Sequence, residues 1–460
     1  MNRNEELKQL CLELEEVIPS VEISLEKARK RKQRRNLVFR PLGSVAAGFA
    51  VFVLLVNFCA PVAYACSKVP VLRELAEAVT FSRSLSDAVE HEYVQEMNLT
   101  QTKEGITAEI PYLIVDQKQV NVFYRLYSDE YQNLDADPDV LSAAGEDTGG
   151  YTLSSSWFAG DSGLQHITID YVEGDVPDSL RLILRVRDLG GGTAREEAPE
   201  QAVEDGFQEE ATEEKPAYLV EFDFLLEFDP TFTETGRVIP LNREVVLDGQ
   251  TILLESVEIY PSHLRLEVRD VPENTAWLKD LDFYIQTEDG MVFSSDISGI
   301  TATGSVDDDT QSMVSYRAES NYFYDAKELS LVITGAQWLA KDRERIRVDL
   351  ATGESDPLPE DVTFEKAERK GNGWTVSFRV EYREGEHMQQ VFSFTAYDAE
   401  GKGYEINRCS TSYGEPDENG NYTYYTNRFP LNGYLHDEVW LEPTYTHFWD
   451  AAEPVVIEVQ

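Results

Sequence analysis

Residues 42–65, LGSVAAGFAVFVLLVNFCAPVAYA, hold no charged side chain, and no other feature limits the chain so strongly. As a helix these 24 residues rise about 36 Å, enough to cross a hydrocarbon layer of roughly 30 Å with some tilt. Just before them, residues 27–40 (KARKRKQRRNLVFR) carry eight Lys/Arg. Positive flanks stay on the cytoplasmic side. Lys27, Arg29, Lys30, Arg31, Lys32, Arg34 and Arg35 therefore orient the span, with the N-terminus inside and everything after residue 65 outside. A cleavable signal is the rival reading, because Ala63-Tyr64-Ala65 has the small-x-small form that signal peptidase prefers. The long lead before the span and the length of the apolar run favour a retained anchor. Pro61 ends or kinks the helix near its outer end.

Charge divides the chain at the same place. Residues 1–40 hold ten Lys/Arg and seven Asp/Glu, whereas the remaining residues hold 30 and 78. So acidic a body repels phosphate backbones, which excludes nucleic acid as its partner. The four cysteines, at 11, 59, 66 and 409, are too few and too scattered for a disulfide framework, and no Cys/His spacing suits zinc.

In the tail, Leu7, Leu10, Leu14 and Val17 recur at helical spacing within NEELKQLCLELEEV (4–17), with glutamates on the opposite face. Pro19 stops that helix and Ser20 can cap a second one through Arg35. Two such short helices cannot bury the leucines by themselves. A partner groove in the cytoplasm or the lipid headgroup layer can each cover them.

Beyond the span, residues 68–98 read as a juxtamembrane helical segment. Strand signals then take over: ITAEIPYLIVD, QVNVFYRLYS, HITIDYV, SLRLILRVRD and YLVEFDFLLEF alternate apolar with polar residues or run fully apolar between Gly, Pro and Asp turns. The pattern predicts a mainly β fold: one N-terminal transmembrane helix followed by tandem immunoglobulin-like β-sandwich modules. The expected division is a cytoplasmic helical basic tail (1–40), the span (42–65), the helical segment (68–98), and modules at 99–230, 231–352 and 361–460. The acidic stretch 191–216 reads as an insert between two strands, and 353–361 as a linker.

Motifs that carry chemistry are scarce in the sequence. The six histidines sit apart from any nucleophile motif, and no GxSxG, HExxH or P-loop occurs. The expectation is a non-enzyme with no catalytic residues, no resident metal and no cofactor. Asp135/Asp137/Asp139 and Asp307/Asp308/Asp309 offer oxygen ligands for calcium but lack the spacing and glycine of an EF-hand loop. The tyrosines and tryptophans raise carbohydrate stacking, but Trp374 and Trp440 stand in strand patterns that suit a core.

Residues 57–79 (NFCAPVAYACSKVPVLRELAEAV) and 81–128 carry a family resemblance. The Pro70–Leu72 helix start, Gly105–Thr107, Asp116 and the aromatic strand Phe123–Tyr127 resemble domain-of-unknown-function family 4179, whose members include membrane-bound anti-sigma factors of Gram-positive bacteria. Residues 241–268, through Asp248-Gly249-Gln250 and Ile259-Tyr260-Pro261, resemble the companion immunoglobulin-like family 5643. The resemblance implies that Leu7, Leu10, Leu14 and Val17 bind an extracytoplasmic-function sigma factor while the ectodomain senses an envelope signal or ligand. It also implies release by regulated proteolysis near residues 60–70. One departure stands out: the short tail lacks the His/Cys signature of zinc-bearing anti-sigma domains, so it covers one face of a sigma factor. The alternative is a cell-surface adhesin or ligand-binding β-sandwich protein whose tail is a plain membrane anchor.

Overall fold

The computed structural model describes residues 70–460 except 157–162, 190–217, 234–235, 295–299, 305–309, 384–388, 415 and 417–421. The tail leucines, the basic run, the apolar span, the acidic insert and Asp307–Asp309 thus lie outside the described residues. Among the described residues no helix is long and apolar enough to cross a membrane. Val69–Gln460 forms one compact unit.

The described chain is mainly β, built as three pairs of antiparallel sheets, each pair enclosing its own core. In the first pair, the strands Gln95–Lys103, Ile106–Val115, Gln119–Ser128, Gln165–Tyr171 and Tyr151–Ser156 lie in that order. Opposite them run Leu134–Ser142, Ser179–Asp188 and Val220–Glu227. The last two pair directly, so residues 190–217 connect neighbouring strands. Alternation fixes which face turns inward: Leu180, Leu182, Leu184 and Val186 are all buried, while Arg181, Arg185 and Arg187 lie between them on the other face.

The second pair shows the same logic. Asp248 and Gly249 both take positive φ, 50° and 75°, the geometry of a tight turn whose twist matches its strands. That turn joins Arg237–Leu247 to Gln250–Ile259, whose Ile252, Leu254, Val257 and Ile259 are buried; a bulge after Leu254 keeps them on one side. The facing sheet runs Val292–Ser294, Ala276–Thr287, Leu329–Ala340 and then His447–Glu458. The C-terminal strand therefore completes the second sandwich, pairing from Ser330↔Glu458 to Trp338↔His447.

The third pair lies in sequence between those two strands. Ile346–Asp349 already belongs to it, paired with Glu438–Pro443. The stretch expected to be a linker at 353–361 is tied into it as well: Ser355 bridges Val348, and Leu358 packs on the third core.

Two short helices precede the strands. Pro70 opens Pro70–Ala78 at a position where its missing N–H costs nothing. Ser82 caps Arg83–Glu90 by accepting the Leu85 N–H at 3.3 Å. Leu75, Val79, Leu85, Ala88 and Val89 pack on Tyr112, Ile114, Phe123 and Leu164, closing the outer face of the first five-stranded sheet.

Candidate functional site

The helix pair, the first sheet and the second sandwich meet at a buried polar junction. Its first half is a clasp. Glu319, 5% exposed, accepts the backbone N–H groups of Arg83 (3.0 Å) and Ser84 (2.6 Å) and the hydroxyls of Ser82 and Ser84. The first N–H groups of a helix have no partner within it, so a carboxylate from elsewhere in the fold answers both that need and the positive end of the helix dipole. Ser84 Oγ also accepts the Ser320 N–H at 2.6 Å. Arg83 reaches further, donating to Tyr324 Oη (2.6 Å) and to the Val292 carbonyl, with its guanidinium over the Phe293 ring at 4.4 Å. His91 stacks on Phe323 at 4.4 Å.

The second half centres on Asp170, fully buried on the strand Gln165–Tyr171. It binds two buried guanidiniums of the second sandwich, Arg265 at 2.8 Å and Arg317. Arg265 also donates to the carbonyls of Tyr171 (2.9 Å) and Lys118 (3.3 Å), and Arg317 to Ser315 Oγ at 2.5 Å. Burial by itself raises a carboxyl, but the two arginines outweigh it and hold Asp170 far below the usual range.

Beside this pair, Asp116, Ser262 and His263 approach the composition of a nucleophilic triad. The Asp116 carboxylate accepts the N–H groups of Lys118 (3.0 Å) and Gln119 (2.9 Å), and the Ser262 N–H (3.0 Å) and Oγ–H (2.5 Å). Burial pulls its pKa up, yet its neighbours and these donors keep it low. Arg265 Nε–H donates to His263 Nε2 at 2.9 Å, which leaves that nitrogen unprotonated and puts the ring proton on Nδ1. Burial favours the same neutral form. Nδ1 faces Ser262 Oγ at 3.0 Å and Asp116 at 3.5 Å, so the ring has no free nitrogen to take a serine proton. With exposures of 5%, 1% and 0% for Ser262, His263 and Asp116, no substrate reaches them. The cluster is a joint, not a catalytic centre.

Gly236 matters here for a steric reason. A Cβ at that position would lie 2.3 Å from the Tyr260 ring, which stacks on His263.

None of these residues was singled out chemically by the sequence, although Asp116 and Tyr260-Pro261 figured in the family resemblance. Asp135, Asp137 and Asp139, weighed in the sequence as calcium ligands and set aside, are engaged within the protein. These alternate positions share one strand face, where Arg187 holds Asp135 (2.6 Å), Tyr218 donates to Asp137 (2.5 Å) and Arg185 holds Asp139 (2.7 Å). Among the described residues no group of three or more His, Cys, Asp or Glu could hold a metal ion. Trp374 is buried, and its indole N–H donates to the His436 carbonyl at 3.0 Å.

Buried titratable groups make the junction's surroundings sensitive to acid. His166 stacks on Phe123 at 4.9 Å and approaches Asn121 Oδ1 at 3.0 Å; burial holds its pKa down to about 3. An unfolded imidazole titrates near 6.5, so between the two values the unfolded chain binds the extra proton and stability falls as pH drops. Comparison with His166→Gln isolates this group from Asp87, whose pKa burial raises to about 6 and which acts in the opposite sense. Relative to that variant, the parent chain is expected to lose roughly 3 kcal/mol between about pH 6.5 and pH 4 in urea unfolding. A pH-independent difference contradicts the assignment.

Residues 33–128 match the model of a family described as a domain of unknown function (DUF4179), and residues 236–365 match that of a family of unknown function (DUF5643). Both are the families whose resemblance the sequence carries. No curated protein matches the chain. Among solved structures, a protein described as "the conserved domain protein from Bacillus anthracis" is similar over 58% of this chain and 85% of its own, at 14% identity and a TM-score of 0.36. The two matched segments meet at the junction. Ser82, Ser84 and Asp116 lie in the first, and Ser262, His263, Arg265, Arg317 and Glu319 in the second.

Proposed function

We propose that this chain is a membrane-anchored, non-enzymatic regulator of the anti-sigma-factor type. Its cytoplasmic helix, through Leu7, Leu10, Leu14 and Val17, sequesters an extracytoplasmic-function sigma factor. The basic run keeps that helix inside, residues 42–65 hold it in the membrane, and the acidic β-rich ectodomain faces the envelope and senses a signal there.

One observation carries the reading. The segment matched by the first family runs from residue 33, within the basic run, through the apolar span, to the strand ending at Ser128. The second helix after the span in that segment, Arg83–Glu90, is gripped at its start by Glu319 of the second sandwich. A plain anchor needs no such grip, because a flexible linker would tether the ectodomain equally well. A sensor does need it, since a signal read by the sandwiches has to reach the membrane through rigid contacts with two arrangements.

The direct test is co-purification of residues 1–36 with the sigma factors of the same cell. The expected result is retention of one of them, lost in Leu10→Asp and Leu14→Asp, with a rise in its target-promoter activity. Unchanged binding and unchanged promoter activity in both variants would sink the reading.

A further inference from the structure

The third sandwich turns one tryptophan away from its core. In the strand Glu438–Pro443, Val439 and Leu441 are both fully buried, so Trp440 between them points to the opposite face of the sheet, where it is partly exposed. The sequence pattern suited a core position for Trp440 as for Trp374; only Trp374 belongs to the core. The sheet runs Ile346–Asp349, Glu438–Pro443, Phe392–Tyr397 and Gly403–Glu405. Register sets Arg347 and Tyr397 directly beside Trp440 on the two neighbouring strands. An indole thus stands at the centre of a row across the outer face.

Two ion pairs flank that ring, because Glu438 and Glu442 lie two residues to either side of it on the same face. Glu438 pairs with Arg347, and Glu442 with Arg345 at 3.1 Å. The Arg345 guanidinium also covers the Tyr397 ring, 3.5 Å from its centre. These four charged side chains keep between 32% and 48% of their surface exposed, so solvent reaches the face.

An arginine–carboxylate pair presents donors and acceptors side by side, and neither partner exhausts its capacity in the pair. A sugar hydroxyl, itself both donor and acceptor, matches such a pair. Each pair is neutral as a whole, which selects neither an anion nor a cation. The C–H groups on the face of a pyranose ring pack on the negative face of an indole. A protein partner suits the face less well, since the centre of such an interface is broad, apolar and poor in charge.

We propose that this outer face binds a neutral β-1,4-linked glycan, with one pyranose ring stacked on Trp440 and its hydroxyls bonded by the Arg347–Glu438 and Arg345–Glu442 pairs. A β-1,4 chain of equatorially substituted sugars is a flat ribbon, the shape that an open sheet face accepts. Tyr397 and Trp440 lie beyond both family-matched segments, so the site goes beyond the regulatory reading and stands independently of it.

Calorimetric titration of the full chain with cellotetraose, in a detergent without a sugar headgroup, tests it. Saturable binding is expected, weakened about tenfold or more by Trp440→Ala. Trp440 lies outside the core, so that variant keeps Val439 and Leu441 in place. Should it still disturb the fold, Glu438→Ala decides, with binding expected about fivefold weaker or more. Sorbitol, which has the hydroxyls but no ring, should not compete. Absence of saturable cellotetraose binding overturns the proposal, as does unchanged binding in the folded Trp440→Ala chain or in Glu438→Ala, or equal competition by sorbitol. Self-association of the parent chain that Trp440→Ala abolishes, without glycan binding, also overturns it and gives the face to a second copy.

Discussion

Asp170→Ala is expected to cost the compact unit Val69–Gln460 about 3–5 kcal/mol, among the largest effects available to a single substitution here. The reason is what stays behind. Arg265 and Arg317 are both buried, and Asp170 is the carboxylate that both of them bind. Without it the interface holds two uncompensated guanidiniums. Urea unfolding of the full chain in detergent should then show the first sandwich and the second losing their cooperative transition. Asp170→Asn keeps the shape and some of the hydrogen bonds, so it should fall between the parent and the alanine variant. A loss below about 1 kcal/mol for Asp170→Ala would mean that the sandwiches are held by apolar contact and the charges are incidental.

Glu319→Ala should act on the helix pair rather than on the sandwiches. It strips partners from two backbone N–H groups at the start of Arg83–Glu90 and from two buried serine hydroxyls. Leaving such groups unsatisfied costs roughly 2–4 kcal/mol in total, a large share of what holds so short a helix in place. Hydrogen exchange is the sensitive readout, because it reports local opening separately from global unfolding. Amides of residues 83–90 should exchange about tenfold faster or more, while those of the Leu329–Ala340 strand stay protected. Equal acceleration in both places would show that Glu319 supports the second sandwich instead of clasping the helix.

The sandwiches were legible because their signals are local. Ile252, Leu254, Val257 and Ile259 announce a half-buried strand within ten residues, and Asp248-Gly249 announces its turn. The junction was not legible, for a physical reason. Ser84, Asp116, Asp170, Ser262 and Arg317 are spread along more than half of the chain, and each is an ordinary surface residue until two sandwiches close over it. Nothing in the spacing of Asp170 distinguishes it from the acidic residues around it. The return of the C-terminal strand to Leu329–Ala340 was hidden in the same way, because strand pairing depends on which edge is open, not on distance in sequence. Asp135, Asp137 and Asp139 show what spacing alone leaves open: the strand sets them one by one against Arg187, Tyr218 and Arg185.

Under the proposed regulatory function, the grip of Glu319 on the helix Arg83–Glu90 governs what the leucines of the tail hold. Target-promoter activity in cells carrying Glu319→Ala, with the tail unaltered, measures that link most directly. The account predicts activity well above the parent chain and approaching that of Leu10→Asp and Leu14→Asp. Promoter activity that stays at the parent level, in cells where hydrogen exchange shows the Arg83–Glu90 helix released, would contradict it.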